Sequence, residues 1–251
     1  RSLCKRCVWN SSSFPLAGLL LEQELAYLDG VVSNPTHPFV AIIGGADISS
    51  KAAVLEKLLH KVDKIILGGG MVFSFFKARG LKVGSAVVPD DQVILARRIE
   101  EAAKSKGVEL ILPVDVIVAD KFDAKAQARV SSVEAVPEGW MGLDIGPKSV
   151  MLFETAVNGA KTVLWNGPMG VFEFNRFSVG TVAMAHTLAD LGGGVEDGQG
   201  VVTIVGGVES VAAVTKAKVA DCMSHVSTGG RAALELLEGK VLPGVAVLDE
   251  K

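Results

Sequence analysis

Apolar and polar positions along this chain come in blocks rather than in simple alternation. From Phe39 onward, a short apolar run ends at glycine or proline and a stretch with helical spacing follows. Phe39-Val-Ala-Ile-Ile43 leads into Gly44-Gly45, Lys64-Ile-Ile-Leu67 into Gly68-Gly69-Gly70, and Val108-Glu-Leu-Ile-Leu112 into Pro113-Val114-Asp115. Thr162-Val-Leu-Trp165 leads into Asn166-Gly167-Pro168, and Val201-Val-Thr-Ile-Val205 into Gly206-Gly207. Continuous apolar runs of this length predict strands buried on both faces, and such strands are parallel. Between them, Val54, Leu55, Leu58 and Leu59 form one helical stripe, and Leu95, Ile99, Ala102 and Ala103 another. Upstream, the Leu-, Ala- and Glu-rich stretch Leu16 to Leu28 predicts a helix that Gly30 ends, before Asn34-Pro35 and His37-Pro38 break the chain.

Strands alternating with helices predict an α/β fold: a parallel, doubly wound, Rossmann-like sheet with helices on both faces. Residues 38–251 form the α/β domain, 15–37 a helix and linker, and 1–14 a disordered leader or fragment end. The leader has Arg1, Lys5 and Arg6 but no acidic residue. An organelle-targeting segment and a plain leader of an incomplete chain both fit it. In open α/β sheets ligands bind beyond the carboxyl ends of the strands. Here those ends carry the paired glycines, several just before a helix whose free N–H groups favour an anion. A phosphate-bearing ligand is the first expectation.

Composition narrows the function classes. The 251 residues hold 25 Lys+Arg against 28 Asp+Glu, a net charge of −3, which argues against a nucleic-acid partner. Apolar residues make up 49%, enough for a sizeable core, yet no run approaches the roughly 18 that span a membrane. Three cysteines make no disulfide framework, so a reducing compartment rather than secretion is expected. Cys4-Lys-Arg-Cys7 has no partner pair for zinc, and Cys222 is expected to fill a small buried space. His37, His60, His186 and His225 lack metal-like spacing; His225 is expected to support the glycine loop that follows it. Neither a Walker A motif nor, after the first strand, a G-x-G-x-x-G fingerprint occurs, which weakens a nicotinamide oxidoreductase.

Several ordered motifs then carry a resemblance. Gly44-Gly45-Ala46, Leu67-Gly68-Gly69-Gly70-Met71, Leu112-Pro113-Val114-Asp115 and Gly139-Trp140-Met141-Gly142-Leu143-Asp144 are followed by Trp165-Asn166-Gly167-Pro168-Met169-Gly170-Val171-Phe172-Glu173. Ser224-His225-Val226-Ser227-Thr228-Gly229-Gly230 and Leu234-Glu-Leu-Leu-Glu-Gly-Lys-Val-Leu-Pro-Gly244 come last. In this order they resemble the C-terminal, nucleotide-binding half of phosphoglycerate kinase, in its bacterial and plastid form, from about Pro15 to the C-terminus. The resemblance implies phosphoryl transfer between 1,3-bisphosphoglycerate and ADP, giving 3-phosphoglycerate and ATP, in glycolysis or the Calvin cycle. ATP or ADP with Mg²⁺ would be the ligand. 3-Phosphoglycerate would be a partner only where a substrate-binding N-terminal domain is supplied. A monomer in the cytoplasm or the plastid stroma is expected, with neither membrane nor nucleic acid.

Carried over, the resemblance lines an adenine pocket with Gly44, Gly45, Gly69, Gly70, Val87, Gly142 and Leu143. It places Asn166, Pro168 and Glu173 near ribose and phosphates, Lys51 on a nucleotide phosphate, and Gly206, Gly207 and Ser210 in a phosphate loop. Gly229 and Gly230 face the transferring phosphoryl group, and Glu209 is a Mg²⁺ ligand through the nucleotide. Three positions depart from the family pattern. Asp47 stands where the family has a lysine meeting that phosphoryl group. Val208, followed by Glu209 in place of aspartate, replaces a loop glycine and is strained if its φ is positive. Arg231 replaces a third glycine and either binds phosphate or blocks the loop. A unit charge at 4 Å is worth about 4 kcal/mol at an effective dielectric near 20, roughly three decades in rate. Impaired transfer is therefore expected, with a non-catalytic binding or interaction protein on the same fold as the alternative.

Overall fold

The apolar runs become neighbouring strands in a computed structural model that describes residues 18–192 and 200–248. In chain order the elements are α1 (Leu19–Leu25), β1 (Phe39–Ile43), α2 (Ala52–Leu58), β2 (Lys64–Leu67), α3 (Val72–Ala78) and α4 (Asp90–Lys106). Then come β3 (Glu109–Ile111), β4 (Asp115–Ala119), β5 (Ala128–Ser132), β6 (Met141–Ile145), α5 (Pro147–Val157) and β7 (Thr162–Asn166). The rest is α6 (Val179–Gly192), β8 (Val202–Gly206), α7 (Val208–Lys216), β9 (His225–Val226), α8 (Arg231–Leu237) and α9 (Pro243–Ala246).

Six strands pair in parallel in the order β3-β2-β1-β7-β8-β9, the doubly wound arrangement the pattern predicts. All of β1 is buried because helices cover both faces. Phe39, Ala41 and Ile43 point into one core with α2, α3, α4 and α8, whereas Val40 and Ile42 point into a second with α5, α6 and α7. The long helix α4 shows how local sequence sets its ends. Asp90 and Asp91 sit in its first turn, Lys104 and Lys106 in its last, and Gly107 closes it in the left-handed region at φ 70°.

Two features depart from the sequence expectation. After α1 the chain continues as a π-helical stretch, Ala26–Val31, so Gly30 lies inside the helical segment rather than ending it. Burial of Leu28 and Val32 against the sheet outweighs the roughly 1 kcal/mol cost of a helical glycine. A second sheet, antiparallel and ordered β5-β4-β6, stands apart from the first. Its outer strands β5 and β6 mix Arg, Ser, Gly and Asp with apolar residues, so no apolar run announces them, whereas β4 carries the short run Val116-Ile-Val-Ala119. Arg1 to Ala17, including Cys4 and Cys7, lie outside the described residues. Cys222 is exposed, not the buried filler expected, because it ends a surface turn before β9.

The two faces of α5 make a direct test of the packing. Phe153 is fully buried and Met151 is 66% exposed. Phe153→Ala is expected to cost about 3–5 kcal/mol in a denaturant-unfolding experiment, and Met151→Ala less than about 0.5 kcal/mol.

Candidate active site

At the carboxyl ends of β1, β2 and β7, three turns cross so closely that only backbone fits between them. Gly44 N–H donates to Asn166 O at 2.9 Å, Gly45 N–H to Pro168 O at 3.1 Å and Gly69 N–H to Met169 O at 3.0 Å. A Cβ on Gly44 would lie 2.1 Å from Pro168 O, and one on Gly167, at φ 98°, would lie 2.1 Å from Gly44 O. Gly44 is thus explained by packing between strand ends, and it does not line the neighbouring cavity. The Gly167 turn is fastened from below, since Ser210 Oγ accepts its N–H at 2.6 Å and Trp165 Nε1 donates to its carbonyl at 2.8 Å. Ser210 is fully buried in this support and does not reach the cavity, contrary to its expected ligand role.

Above the crossing lies a cavity of 330 Å³. Gly45 and Ala46 border it after β1, Gly69 and Gly70 after β2, and Val72 and Phe73 from α3. The second sheet supplies one wall, through Val116 on β4 and Gly142, Leu143, Asp144 and Ile145 on β6. The loop after β7 supplies another, from Pro168 through Val171 to the exposed Glu173, and Phe122 and Glu209 complete the rim. The packing is tight here too, because a Cβ on Gly142 would lie 2.2 Å from the Phe73 ring. Of the residues the sequence placed at a ligand, Gly45, Gly69, Gly70, Gly142, Leu143, Pro168, Glu173 and Glu209 converge on this cavity. Val87 does not: it is 92% exposed on the loop before α4.

A polar cluster adjoins the Gly45 side. Lys51 Nζ donates to the buried Asn166 Oδ1 at 2.6 Å, and its stem passes Gly45, with Cε 3.5 Å from where a Cβ would stand. Burial lowers the Lys51 pKa, and the charge of Glu209 opposes that shift. The Asn166 amide lies against Gly207, which starts α7 at φ 88°.

The three departures sit without strain. The positive φ belongs to Gly207, and Val208 is 73% exposed in the first turn of α7, so the strain expected of it does not arise. Arg231 opens α8 with its side chain 91% exposed and paired with Glu235 at 3.4 Å, one helical turn on. Its side chain is turned to solvent, and the positive φ of 54° falls on Gly230 rather than on Arg231. Asp47 does not line the cavity, because its carboxylate is held by Ser49 N–H, Ser50 N–H and the Gln92 amide.

Two buried carboxylates carry more of the site's architecture than the sequence indicated. Asp144, 5% exposed, accepts Gly180 N–H at the start of α6 and its neighbour Ile145 N–H, both at 2.9 Å. Burial raises its pKa to about 7 against the pull of those hydrogen bonds. Glu24, on α1, accepts from Ser227 Oγ at 2.8 Å and from Thr228 N–H and Oγ1 at 2.6 and 2.9 Å. His225 Nε2 lies 3.3 Å from the same carboxylate and stacks on Tyr27. Burial pushes Glu24 up, but the contacts from His225, Thr228 and Ser227 prevail and hold it at about 2. The loop carrying Gly229 and Gly230 is thereby tied to α1. His225 supports it as expected, whereas Glu24 gave no local signal, being more than 200 residues away.

A family model described as phosphoglycerate kinase matches residues 7–240. The chloroplastic phosphoglycerate kinase of Volvox carteri is 63% identical over 236 residues, 94% of this chain and 50% of that protein. The phosphoglycerate kinase of Rippkaea orientalis is 58% identical over 235 residues, 94% of this chain and 58% of that protein. Among solved structures, the phosphoglycerate kinase from Coxiella burnetii gives a TM-score of 0.85 at 41% identity, over 92% of this chain and 57% of that one. The chain spans about half the length of the curated relatives it matches.

The two carboxylates give opposite pH dependences. Asp144 is raised from 3.8 to about 7, so its contribution to stability is fully present below about pH 4 and is lost as pH rises through 7. Glu24 is lowered from 4.5 to about 2, so its contribution is present above about pH 4.5 and is lost as pH falls through 2. Thermal unfolding across pH 2–8 is expected to show both slopes, with Asp144→Asn flattening the upper one and Glu24→Gln the lower one.

Proposed function

The chain belongs to the phosphoglycerate kinase family, and from that premise we propose that its cavity is the nucleotide site of a phosphotransferase. The observation that carries this reading is the cavity itself, a largely apolar slot of 330 Å³ at the carboxyl ends of parallel strands, with Glu173 and Glu209 on its rim. Its shape and lining suit a flat base and a ribose. Gly45, Gly69, Gly70, Gly142 and Leu143 take the base, Pro168 and Glu173 the sugar, and Lys51 with Asn166 the phosphates. Among the described residues no group of three or more His, Cys, Asp or Glu could hold a metal ion. Mg²⁺ would arrive with the nucleotide, where it would neutralise phosphate charge beside the carboxylate of Glu209.

In this reading the chain supplies the ADP half of the transfer between 1,3-bisphosphoglycerate and ADP, giving 3-phosphoglycerate and ATP. The reaction belongs to glycolysis or, given chloroplastic and cyanobacterial relatives, to the Calvin cycle in a plastid stroma or cytoplasm. 3-Phosphoglycerate joins where a substrate-binding domain is supplied, because transfer depends on holding donor and acceptor in line. We keep impaired transfer as part of the proposal, on one observation: Asp47 supplies no cation where the family pattern has lysine. Val208 and Arg231 give it no support, being accommodated without strain. The same observation supports the second reading, a nucleotide-binding protein without turnover. The chain is proposed to act as a monomer.

Titration calorimetry tests the core of the reading. Adenosine and ADP are expected to bind with affinities within about tenfold of each other, since attraction from Lys51 and repulsion from Glu209 offset one another. Mg²⁺ should improve ADP binding a few-fold, and Leu143→Glu, which puts a charge into the wall, should abolish both. Failure of adenosine to bind overturns the nucleotide reading. A coupled assay with a complementary substrate-binding domain then measures turnover, and a rate matching full-length relatives would remove the impairment.

A further inference from the structure

Asp47 is the hub of the turn between β1 and α2. Its Oδ1 accepts Ser49 N–H at 3.1 Å, its Oδ2 accepts Ser50 N–H at 3.2 Å, and its carbonyl accepts Ser50 Oγ at 2.8 Å. The carboxylate is anchored from a distant element, since Gln92 Nε2 on α4 donates to Oδ1 at 2.6 Å. Gln92 is itself held, its Oε1 accepting from the buried Ser74 Oγ on α3 at 3.2 Å. A relay thus runs from α3 through α4 to the turn.

The turn ends in Lys51. Its N–H donates to the carbonyl of the fully buried Ile48 at 3.0 Å, and its side chain crosses Gly45 to reach Asn166 Oδ1. A lysine side chain has many rotamers and stays in one only when its backbone origin and its far end are both fixed. Asn166 fixes the far end. The origin depends on the three-residue 3₁₀ turn Ser49–Lys51, whose first N–H groups are satisfied by the Asp47 carboxylate.

We propose that Asp47 is a positioning residue: with Gln92 as its anchor, it caps the turn that aims Lys51 across the strand ends to Asn166, beside the cavity. Asp47 then acts on a nucleotide phosphate only through Lys51, and its acceptor oxygens matter rather than its charge. This rests on the nucleotide reading as far as phosphate binding is concerned, whereas the coupling between Asp47 and Lys51 belongs to the protein alone.

The test is lysine side-chain NMR on the 251-residue chain, with the Lys51 signal assigned by its absence in Lys51→Arg. Asp47→Asn keeps the acceptor for Ser49 and Gln92 but removes the charge, and Asp47→Ala removes both. The parent and Asp47→Asn are expected to share a Lys51 signal shifted from that of exposed lysines and a titration below the ordinary lysine range. In Asp47→Ala and Gln92→Ala that signal should move toward the exposed-lysine position. ADP affinity should fall roughly tenfold in Asp47→Ala while adenosine affinity holds, and Asp47→Asn should retain both. An unmoved Lys51 signal in Asp47→Ala, or tighter ADP binding by Asp47→Asn and Asp47→Ala alike, overturns the proposal. Should Asp47→Ala not fold, Gln92→Ala decides by the same Lys51 signal. If the parent binds neither adenosine nor ADP, the nucleotide reading fails, and the NMR comparison still decides the coupling.

Discussion

Everything at the site depends on backbone meeting backbone where the turns after β1, β2 and β7 cross. Gly44, Gly45 and Gly69 donate into carbonyls of the Asn166–Met169 segment, and that segment has no room for a Cβ at Gly44 or Gly167. A side chain at either position would force three strand ends apart, and with them the floor of the cavity and the path of Lys51 to Asn166. The glycines are therefore explained first by packing. A flat ligand surface is the consequence, because turns without side chains present bare peptide planes.

Carboxylates, three of them buried and Asp47 half-buried, do the remaining positioning, each by accepting N–H groups that a chain reversal or a helix start leaves free. Asp115 accepts Ser149 N–H at 2.8 Å and Lys148 N–H at 3.1 Å at the start of α5. Asp144 does the same for α6, and its oxygens leave no space for a side chain at Gly170, on the loop leading to Glu173. Glu24 binds the loop before α8 to the first helix, and Asp47 orders the turn before α2. Helix starts and ligand-facing loops are thus set by the same few oxygens. Their desolvation is tolerable because each is given donors.

The departures from the family pattern take on a different weight in this setting. Val208 and Arg231 change residue type at places where backbone conformation and solvent already permit a side chain. Asp47 alone replaces a cation by an anion, and its partners on α4 and in the turn engage its oxygens as acceptors.

The sequence by itself determined the parallel sheet, its two covered faces and the end of the sheet where the cavity lies. Those follow from short-range patterns: β-branched runs, helical stripes and glycines after strands. Tertiary structure alone decided which of the named residues share one cavity, since Val87 and Gly142 look equally eligible in the chain and only Gly142 arrives. It also decided the second sheet, whose outer strands β5 and β6 carry no apolar run, and the passage of the first helix beyond Gly30. The roles of Glu24, Gln92 and Asp144 were hidden for one physical reason. A carboxylate or amide finds its partners by proximity in space, and the donors that Glu24 serves lie more than 200 residues along the chain.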